Sequence, residues 1–404
     1  MNILIISQYF WPENFRINDL ATDLVEKGHK VTVLTGLPNY PKGNFFKGYG
    51  IFKKKYKEQY KGVDIYRVPI ISRGNGKFQR LFLNYLSFAF TGSIVALFLQ
   101  KKKFDKIFVF EVSPITVGIP AIVFKKLKKI PIVFWVLDLW PESVASVGAV
   151  KSQKYIGYIK ILVKYIYSKC DKILVSSKGF KKSIENIEPR KNIISYFPNF
   201  IEKVDRGKVF YPELSQKINF PEGFKIMYAG NIGYAQSFPT ILEAAEVLRD
   251  YNIYWIIVGD GRCRDWVKKR IKQLGLEKKV LLPGSFPQDT MPFFYSKSDV
   301  MLVSLKNELN FSLTVPGKVQ SYMAFGKPIV AALAGEGANI IKDSSSGITC
   351  RPENSKDLAE TVLQMYNLPQ EQLIKMGQSG KKYCEKNFNR DLLVDELINI
   401  FKQL

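Results

Sequence analysis

Short apolar runs rich in β-branched residues alternate along this chain with longer stretches whose apolar positions recur every three to four residues. That alternation predicts βαβ units wound around parallel sheets, because a strand covered on both faces reads as a nearly continuous apolar run. A first series of strands is expected at Asn2–Ser7, Val31–Thr35, Val63–Val68, Lys106–Phe110, Ile132–Leu137, Lys172–Val175 and Ile193–Tyr196. A second is expected at Lys225–Ala229, Tyr254–Val258, Val280–Leu282, Asp299–Val303, Pro328–Ala332 and Ile348–Cys350. Between them, from Pro198 to Gly223, prolines 198, 212 and 221 interrupt a stretch of little periodicity, which reads as a linker. The plan is two α/β domains, 1–200 and 223–390, joined by 201–222, with a C-terminal helix at 391–404 expected to pack back on the first domain.

In an open α/β sheet, ligands sit beyond the carboxyl ends of the strands, where a turn leads into a helix N-terminus. The first such turn, QYFWPENFR, carries Glu13 and Arg16 and precedes a helix marked by Ile17, Leu20, Ala21, Leu24 and Val25 that stops at Gly28. Glu13 is either a site carboxylate or simple first-turn helix charge. In WVLDLWPES, Asp138 and Glu142 stand four residues apart, and Asp138 is either an acid/base group or a helix cap. At the head of the second domain, YAGNIGYAQ carries Gly230, Asn231, Gly233 and Gln236 but no GxGxxG fingerprint, which argues against a dehydrogenase. Further turns are VGDGR with Arg262, LPGSFP with Ser285 and Phe286, and VPGKVQSYMAFGKP. In the last, Pro316 and Gly317 open a helix expected over 317–325, so that free backbone N–H groups and the Lys318 ammonium converge on an anion. The plainer alternative is that Pro–Gly merely starts a helix.

A chain of 404 residues exceeds a single core and accommodates two. Sixty Lys+Arg against 36 Asp+Glu give a formal +24, which favours phosphate-rich partners. No helix-turn-helix, RRM, KH or zinc signature accompanies that charge, so nucleic acid is not an expected partner. His29 is the single histidine, which rules out a histidine-based triad or zinc site, and the four cysteines form no CxxC pair. The opening MNILIISQYF lacks the features of a signal peptide, and a reducing, cytoplasmic compartment is expected. No strong DxD motif points to a metal.

Residues 81–100, LFLNYLSFAFTGSIVALFLQ, contain no charge and are flanked by Arg80 and by lysines 101–103. The length could span a bilayer. A spanning helix would, however, separate strands of one sheet. A helix partly buried against the first domain, presenting aromatic residues and lysine flanks of the 81–103 region to anionic headgroups, fits better; a wholly internal helix is the alternative. The basic run at 51–62 adds to that surface.

Taken in order, SQYFWPE, WVLDLWPES, FPNFIE, YAGNIGYAQSFPTILEAA, IIVGDG, LPGSFPQDTMPFFYSKSDVMLVSL and VPGKVQSYMAFGKPIV resemble the retaining glycosyltransferases of family 4 over nearly the whole chain. Within that family the chain is most similar to the L-fucosamine (N-acetyl-fucosaminyl) transferases of capsule, O-antigen and colanic acid assembly. The resemblance implies a GT-B fold, two Rossmann-like doubly wound domains facing across a cleft. It also implies transfer, with retention and without a cofactor or required metal, from a UDP-sugar to a polyprenyl-diphosphate-linked saccharide at the inner face of the cell membrane. A deoxy amino sugar such as N-acetyl-L-fucosamine is the implied donor sugar. Asp138 falls where many relatives carry a histidine, and Arg16 and Glu142 join it on the acceptor side. The base of the donor is expected against Ser285 and Phe286. The family's E-x7-E pair is absent, with Leu313 and Ser321 at its two positions, so Glu308 is the nearby carboxylate that could substitute. The usual Arg and Lys of the diphosphate clamp align with Asn231 and Gln236, leaving Lys318 and Arg262 as the remaining cations. A UDP-sugar 2-epimerase and a catalytically inactive GT-B scaffold are the competing readings.

Overall fold

The computed structural model describes residues 1–53, 55–99, 101–146, 152–201 and 211–404. Two compact units emerge, Met1–Pro198 with Asp391–Leu404, and Asn199–Arg390. The expected linker 201–222 falls partly outside the described residues, which omit 202–210, and its latter part forms the helix Pro212–Lys217.

Strands of the first unit are β1 Asn2–Ile6, β2 Lys30–Gly36, β3 Lys57–Tyr60, β4 Val63–Val68, β5 Lys106–Glu111, β6 Ile132–Val136, β7 Lys172–Val175 and β8 Ile194–Tyr196. Those of the second are β9 Phe224–Ala229, β10 Ile253–Val258, β11 Val280–Gly284, β12 Val300–Ser304, β13 Ile329–Ala332 and β14 Gly347–Cys350. The helices of the first part of the chain are α1 Arg16–Glu26, α2 Phe78–Leu99, α3 Gly118–Lys128, α4 Glu142–Ser146, α5 Gln153–Ser168 and α6 Lys178–Glu185. There follow α7 Pro212–Lys217, α8 Phe238–Val247, α9 Arg264–Gln273, α10 Met291–Ser296, α11 Leu309–Leu313, α12 Gly317–Ala324, α13 Glu336–Asp343, α14 Ser355–Tyr366, α15 Gln370–Asn387 and α16 Arg390–Gln403.

The first sheet runs β3-β4-β2-β1-β5-β6-β7-β8 and the second β11-β10-β9-β12-β13-β14. Every pairing is parallel except β3 with β4. In each sheet the strand order reverses beside the first strand, β1 between β2 and β5, and β9 between β10 and β12. That reversal opens a crevice at the carboxyl ends of those strands, where doubly wound folds bind their ligands. Alternation along β10 shows why the second sheet is covered on both faces. Trp255 and Ile257 enter one apolar cluster with Leu242 and Leu358, while Ile256 and Val258 enter another with Val319 and Tyr322.

β3 departs from the sequence expectation, which treated 51–62 only as a basic run. KEQY has no apolar alternation, and what orders it is the antiparallel pairing with β4 together with Glu58, whose Oε2 accepts from the buried Arg67 Nε at 2.7 Å. Lys54, within that run, lies outside the described residues.

α2 is apolar around its circumference. Asn84, Phe88, Gly92 and Ala96 recur every four residues and face inward, whereas Phe82, Leu86 and Phe90, two positions out of step, lie on the opposite face at 51%, 42% and 68% exposure. A Cβ on Gly92 would stand 2.9 Å from Pro120 Cγ, and one on Gly118 would stand 2.7 Å from Ile166 Cγ2. These two glycines therefore permit the close packing of α2 on α3 and of α3 on α5. Gln100, the last residue of the expected apolar segment, lies outside the described residues.

Candidate functional site

In the second unit, the turns that follow β9, β10 and β11 are zipped together through backbone. Gly230 N donates to Val258 O at 2.9 Å, Ile232 N to Asp260 O at 2.8 Å and Gly259 N to Gly284 O at 2.8 Å. A Cβ on Gly259 would lie 1.9 Å from Gly230 O, and one on Gly230 would lie 2.5 Å from Lys318 Cε. Both glycines have positive φ, +144° and +141°, so side chains are disfavoured here on conformation as well as space. The outcome is a floor of closely packed backbone beside the strand-order reversal, with no room for a side chain between its turns.

Lys318 stands over this floor. It lies in the first turn of α12, which opens at Pro316 and Gly317 as the sequence suggested. Its ammonium lies 4.0 Å from the centroid of the Tyr228 ring and donates to the Tyr228 hydroxyl. That hydroxyl in turn donates to Asn231 O at 2.5 Å. Among the described residues Lys318 has no ion-pair partner. Burial without a carboxylate destabilises the ammonium and draws its pKa down to about 7. A cation so placed is complemented by an arriving anion.

The other expected donor-side residues are placed as follows. Gln236 folds back on its own turn, its Oε1 accepting from Gly233 N at 3.1 Å, and so braces the loop. Asn231 is exposed at the rim, as is Arg262 beside Gly261. Ser321 Oγ donates to Gly317 O at 3.1 Å within α12. Glu308 is half-buried at the N-cap of α11, its carbonyl accepting from Phe311 N at 3.0 Å. Ser285 is exposed, while Phe286 packs on Phe294 with ring centroids 4.7 Å apart, so one face of that ring is committed to the core.

In the first unit, Glu13 is 1% exposed. Its Oε1 accepts from Asn39 N at 2.8 Å and Tyr40 N at 2.7 Å, and its Oε2 from Phe10 N at 3.4 Å. Burial outweighs these donors and pushes the carboxyl up to about 7. Glu13 thus ties the loop after β1 to the loop after β2. Arg16 begins α1 next to it, half-buried.

Asp138 lies two residues beyond β6 and is joined there by a carboxylate that the sequence reading missed. Glu111, the last residue of β5, is 0% exposed, and its Oε2 accepts from Asp138 N at 3.4 Å. Desolvation, with the Asp138 charge adding to it, raises the Glu111 carboxyl well above the ordinary range. Asp138 is raised too, chiefly by burial, against hydrogen bonds from Ser143, Trp140 and Ser113. The Trp140 Nε1 to Asp138 Oδ2 distance is 3.2 Å. Ser113 holds φ at +101°, a costly conformation for a residue with a Cβ and one that recurs at functional sites. The signal for Glu111 was available as a carboxylate closing the apolar run IFVFE. Glu142 opens α4, half-buried, and its carboxyl is raised by burial. Among the described residues, no group of three or more His, Cys, Asp or Glu side chains is arranged to hold a metal ion.

Residues 211–383 match the family model for glycosyl transferases group 1. The putative colanic acid biosynthesis glycosyl transferase WcaI of Escherichia coli K12 is 24% identical over 99% of both chains. An N-acetylgalactosamine-N,N'-diacetylbacillosaminyl-diphospho-undecaprenol 4-alpha-N-acetylgalactosaminyltransferase of Campylobacter jejuni is 30% identical over 34% of this chain and 35% of its own. Among solved structures, Anabaena HepE in complex with UDP superposes with a TM-score of 0.73 over 100% of both chains at 16% identity. The chain is a glycosyltransferase of GT-B fold, built from two Rossmann-like domains, with group 1 relatives in polysaccharide biosynthesis.

Proposed function

We propose that this glycosyltransferase uses a UDP-sugar, N-acetyl-L-fucosamine or a similar deoxy amino sugar, and extends a polyprenyl-diphosphate-linked saccharide with retention, while docked on the inner face of the cell membrane. The observation that carries the donor half is the uncompensated Lys318 over the glycine floor of the second unit. A nucleoside diphosphate leaving group gathers negative charge as the glycosidic bond breaks, so fixed positive groups at that point lower the barrier. Lys318 and the first N–H groups of α12 supply them without a resident metal or cofactor. UDP is the diphosphate favoured by the HepE complex, and a lipid-linked acceptor by the name of the Campylobacter relative.

On the acceptor side, Asp138 is the base that takes the hydroxyl proton, and Glu111, whose carboxyl is raised by burial and by the Asp138 charge, accepts from the Asp138 N–H and holds that turn. Glu13 positions the loop that carries Arg16. Attraction to the membrane comes from the outward face of α2, the one helix long and apolar enough to cross a bilayer among the described residues, with Lys101 to Lys103 beyond its end.

Calorimetric titration of UDP, GDP and ADP, without added metal, tests the donor reading. UDP is expected to bind in preference to the others, and Lys318→Ala to lose about 1.5–3 kcal/mol, the worth of a hydrogen bond to a charged group. Absence of nucleotide binding to the wild type removes the reading.

A further inference from the structure

The loop between β4 and α2, Ser72 to Lys77, holds a cation that the donor site does not use. Arg73 N donates to Asn39 Oδ1 at 3.0 Å, and Gly74 N donates to Gly43 O at 2.9 Å, so the loop is fixed by backbone to the loop after β2. The fit is close: a Cβ on Gly43 would lie 1.7 Å from Gly74 O. From this anchored position the half-buried Arg73 guanidinium lies 5.6 Å from the Tyr9 ring centroid and 5.3 Å from that of Tyr40, and it donates to the Tyr9 hydroxyl. Phe15 closes the frame, stacked on Tyr9 at 4.9 Å.

The groups that act most on this guanidinium are phenols. Its neighbours are the phenols of Tyr9, Tyr40 and Tyr85. The buried Glu13 carboxylate is engaged by three backbone N–H groups and by the charge of Arg67, and it also acts on the Tyr9 phenol to which Arg73 donates. Nor does any ion pair among the described residues involve Arg73, Lys77 or Arg80. Arg80, in the first turn of α2, bends back so that its Nε donates to Ser72 O at 2.8 Å, which brings a second guanidinium onto the same loop. A half-buried planar cation outside any ion pair among the described residues can take an anion, and a guanidinium suits phosphate oxygens in particular. It lies at the head of the helix whose outer face is apolar, so an anion held here would have its hydrocarbon chain beside Phe78 and Phe82, which are stacked on each other at 6.3 Å and both about half exposed.

We infer that the Arg73 loop binds the diphosphate of an isoprenoid-linked acceptor. The inference rests on the lipid-linked acceptor proposed above, but the site it names is separate from the donor floor. Arg73 positions the acceptor, and Tyr9 and Tyr40 keep the guanidinium aimed.

The test is calorimetric titration of the full chain with farnesyl diphosphate, farnesyl monophosphate, inorganic pyrophosphate and phosphatidylglycerol, all under saturating UDP so that the donor floor is blocked. Farnesyl diphosphate is expected to bind most tightly. Arg73→Gln should weaken it at least tenfold and Arg73→Lys by less, with UDP affinity and thermal midpoint unchanged in both. Equal farnesyl diphosphate affinity in wild type and Arg73→Gln overturns the assignment, and so does phosphatidylglycerol or pyrophosphate binding as tightly with the same dependence on Arg73. If UDP fails to bind while farnesyl diphosphate still binds through Arg73, the acceptor site stands and the donor reading falls.

Discussion

The Lys318 ammonium rests 4.0 Å from the centre of the Tyr228 ring, with a phenol for a partner where an ordinary buried lysine would have a carboxylate. Its proton is therefore held weakly, near pH 7, and would be held more strongly beside a diphosphate that supplies the missing charge.

Nucleotide binding should accordingly take up a proton. Below pH 7 Lys318 is already charged and UDP affinity is flat with respect to this group; above pH 7 the proton must be acquired on binding, and affinity falls towards about tenfold per pH unit. Titrations from pH 6 to pH 9 in buffers of different ionisation heat read this directly. A pH-independent affinity in the wild type, or an unaltered slope in Lys318→Met, would remove Lys318 from the phosphate site.

Asp138→Asn is expected to lower turnover by about 10²- to 10⁴-fold, the usual contribution of a general base, while UDP affinity is retained. The wild-type rate should climb with pH through a value above the ordinary carboxylate range, since burial raises Asp138. Glu111→Gln, which keeps the shape and the oxygen that accepts from Asp138 N, should retain activity, whereas Glu111→Ala should not. Equal damage from both Glu111 variants would show that the carboxyl has some other role.

Glu13 makes a claim on stability. Its folded-state pKa of about 7 exceeds the ordinary 4.5, so between those values the folded chain binds more protons than the unfolded one. The contribution is complete below pH 4.5 and is lost as pH rises through 7. Glu13→Gln cannot titrate, and the difference in thermal midpoint between wild type and variant should therefore change between pH 5 and pH 8. A difference that stays constant across that range argues against the buried carboxyl.

Phe82→Ser and Phe90→Ser alter only the outer face of α2. Each fully immersed phenylalanine is worth about 1.5–3 kcal/mol, so each change should weaken binding to phosphatidylglycerol-containing vesicles by about tenfold or more. Binding should also fall with salt, because the lysine contribution is screened over about 10 Å at 0.1 M. Co-sedimentation that is indifferent to both variants and to salt would locate membrane contact elsewhere.

Most of the sheet framework was legible in the sequence because parallel strands buried on both faces advertise themselves as uninterrupted apolar runs: Val63–Val68 and Lys172–Val175 have the very bounds expected. β3 was not legible. Its four residues are polar, and its order depends on a partner strand and on Arg67, neither of which is a local property. The same reason hid the donor floor. Gly230, Gly259 and Gly284 were visible as three separate turns, but their meeting depends on the order β11-β10-β9, which periodicity does not encode. Gln236 shows the converse, since it aligned with a clamp position and instead closes its own turn. Glu111 was overlooked because a carboxylate at the end of an apolar strand looks like the edge of a loop until the neighbouring strand brings Asp138 beside it.

The two faces of α2 are read by different judges. Asn84, through its bonds from Gln8 Nε2 at 2.7 Å and to Ile71 O, and Gly92, through its contact with Pro120, are constrained by the sheet and its loops. Leu86 and Phe90 lie on the exposed face, where Phe82 stacks on Phe78. Substitution at 86 or 90 can therefore reshape that outer face without touching the contacts that hold α2 to the sheet and its loops. The same twenty-two residues thus carry two sets of constraints that a single substitution need not disturb together.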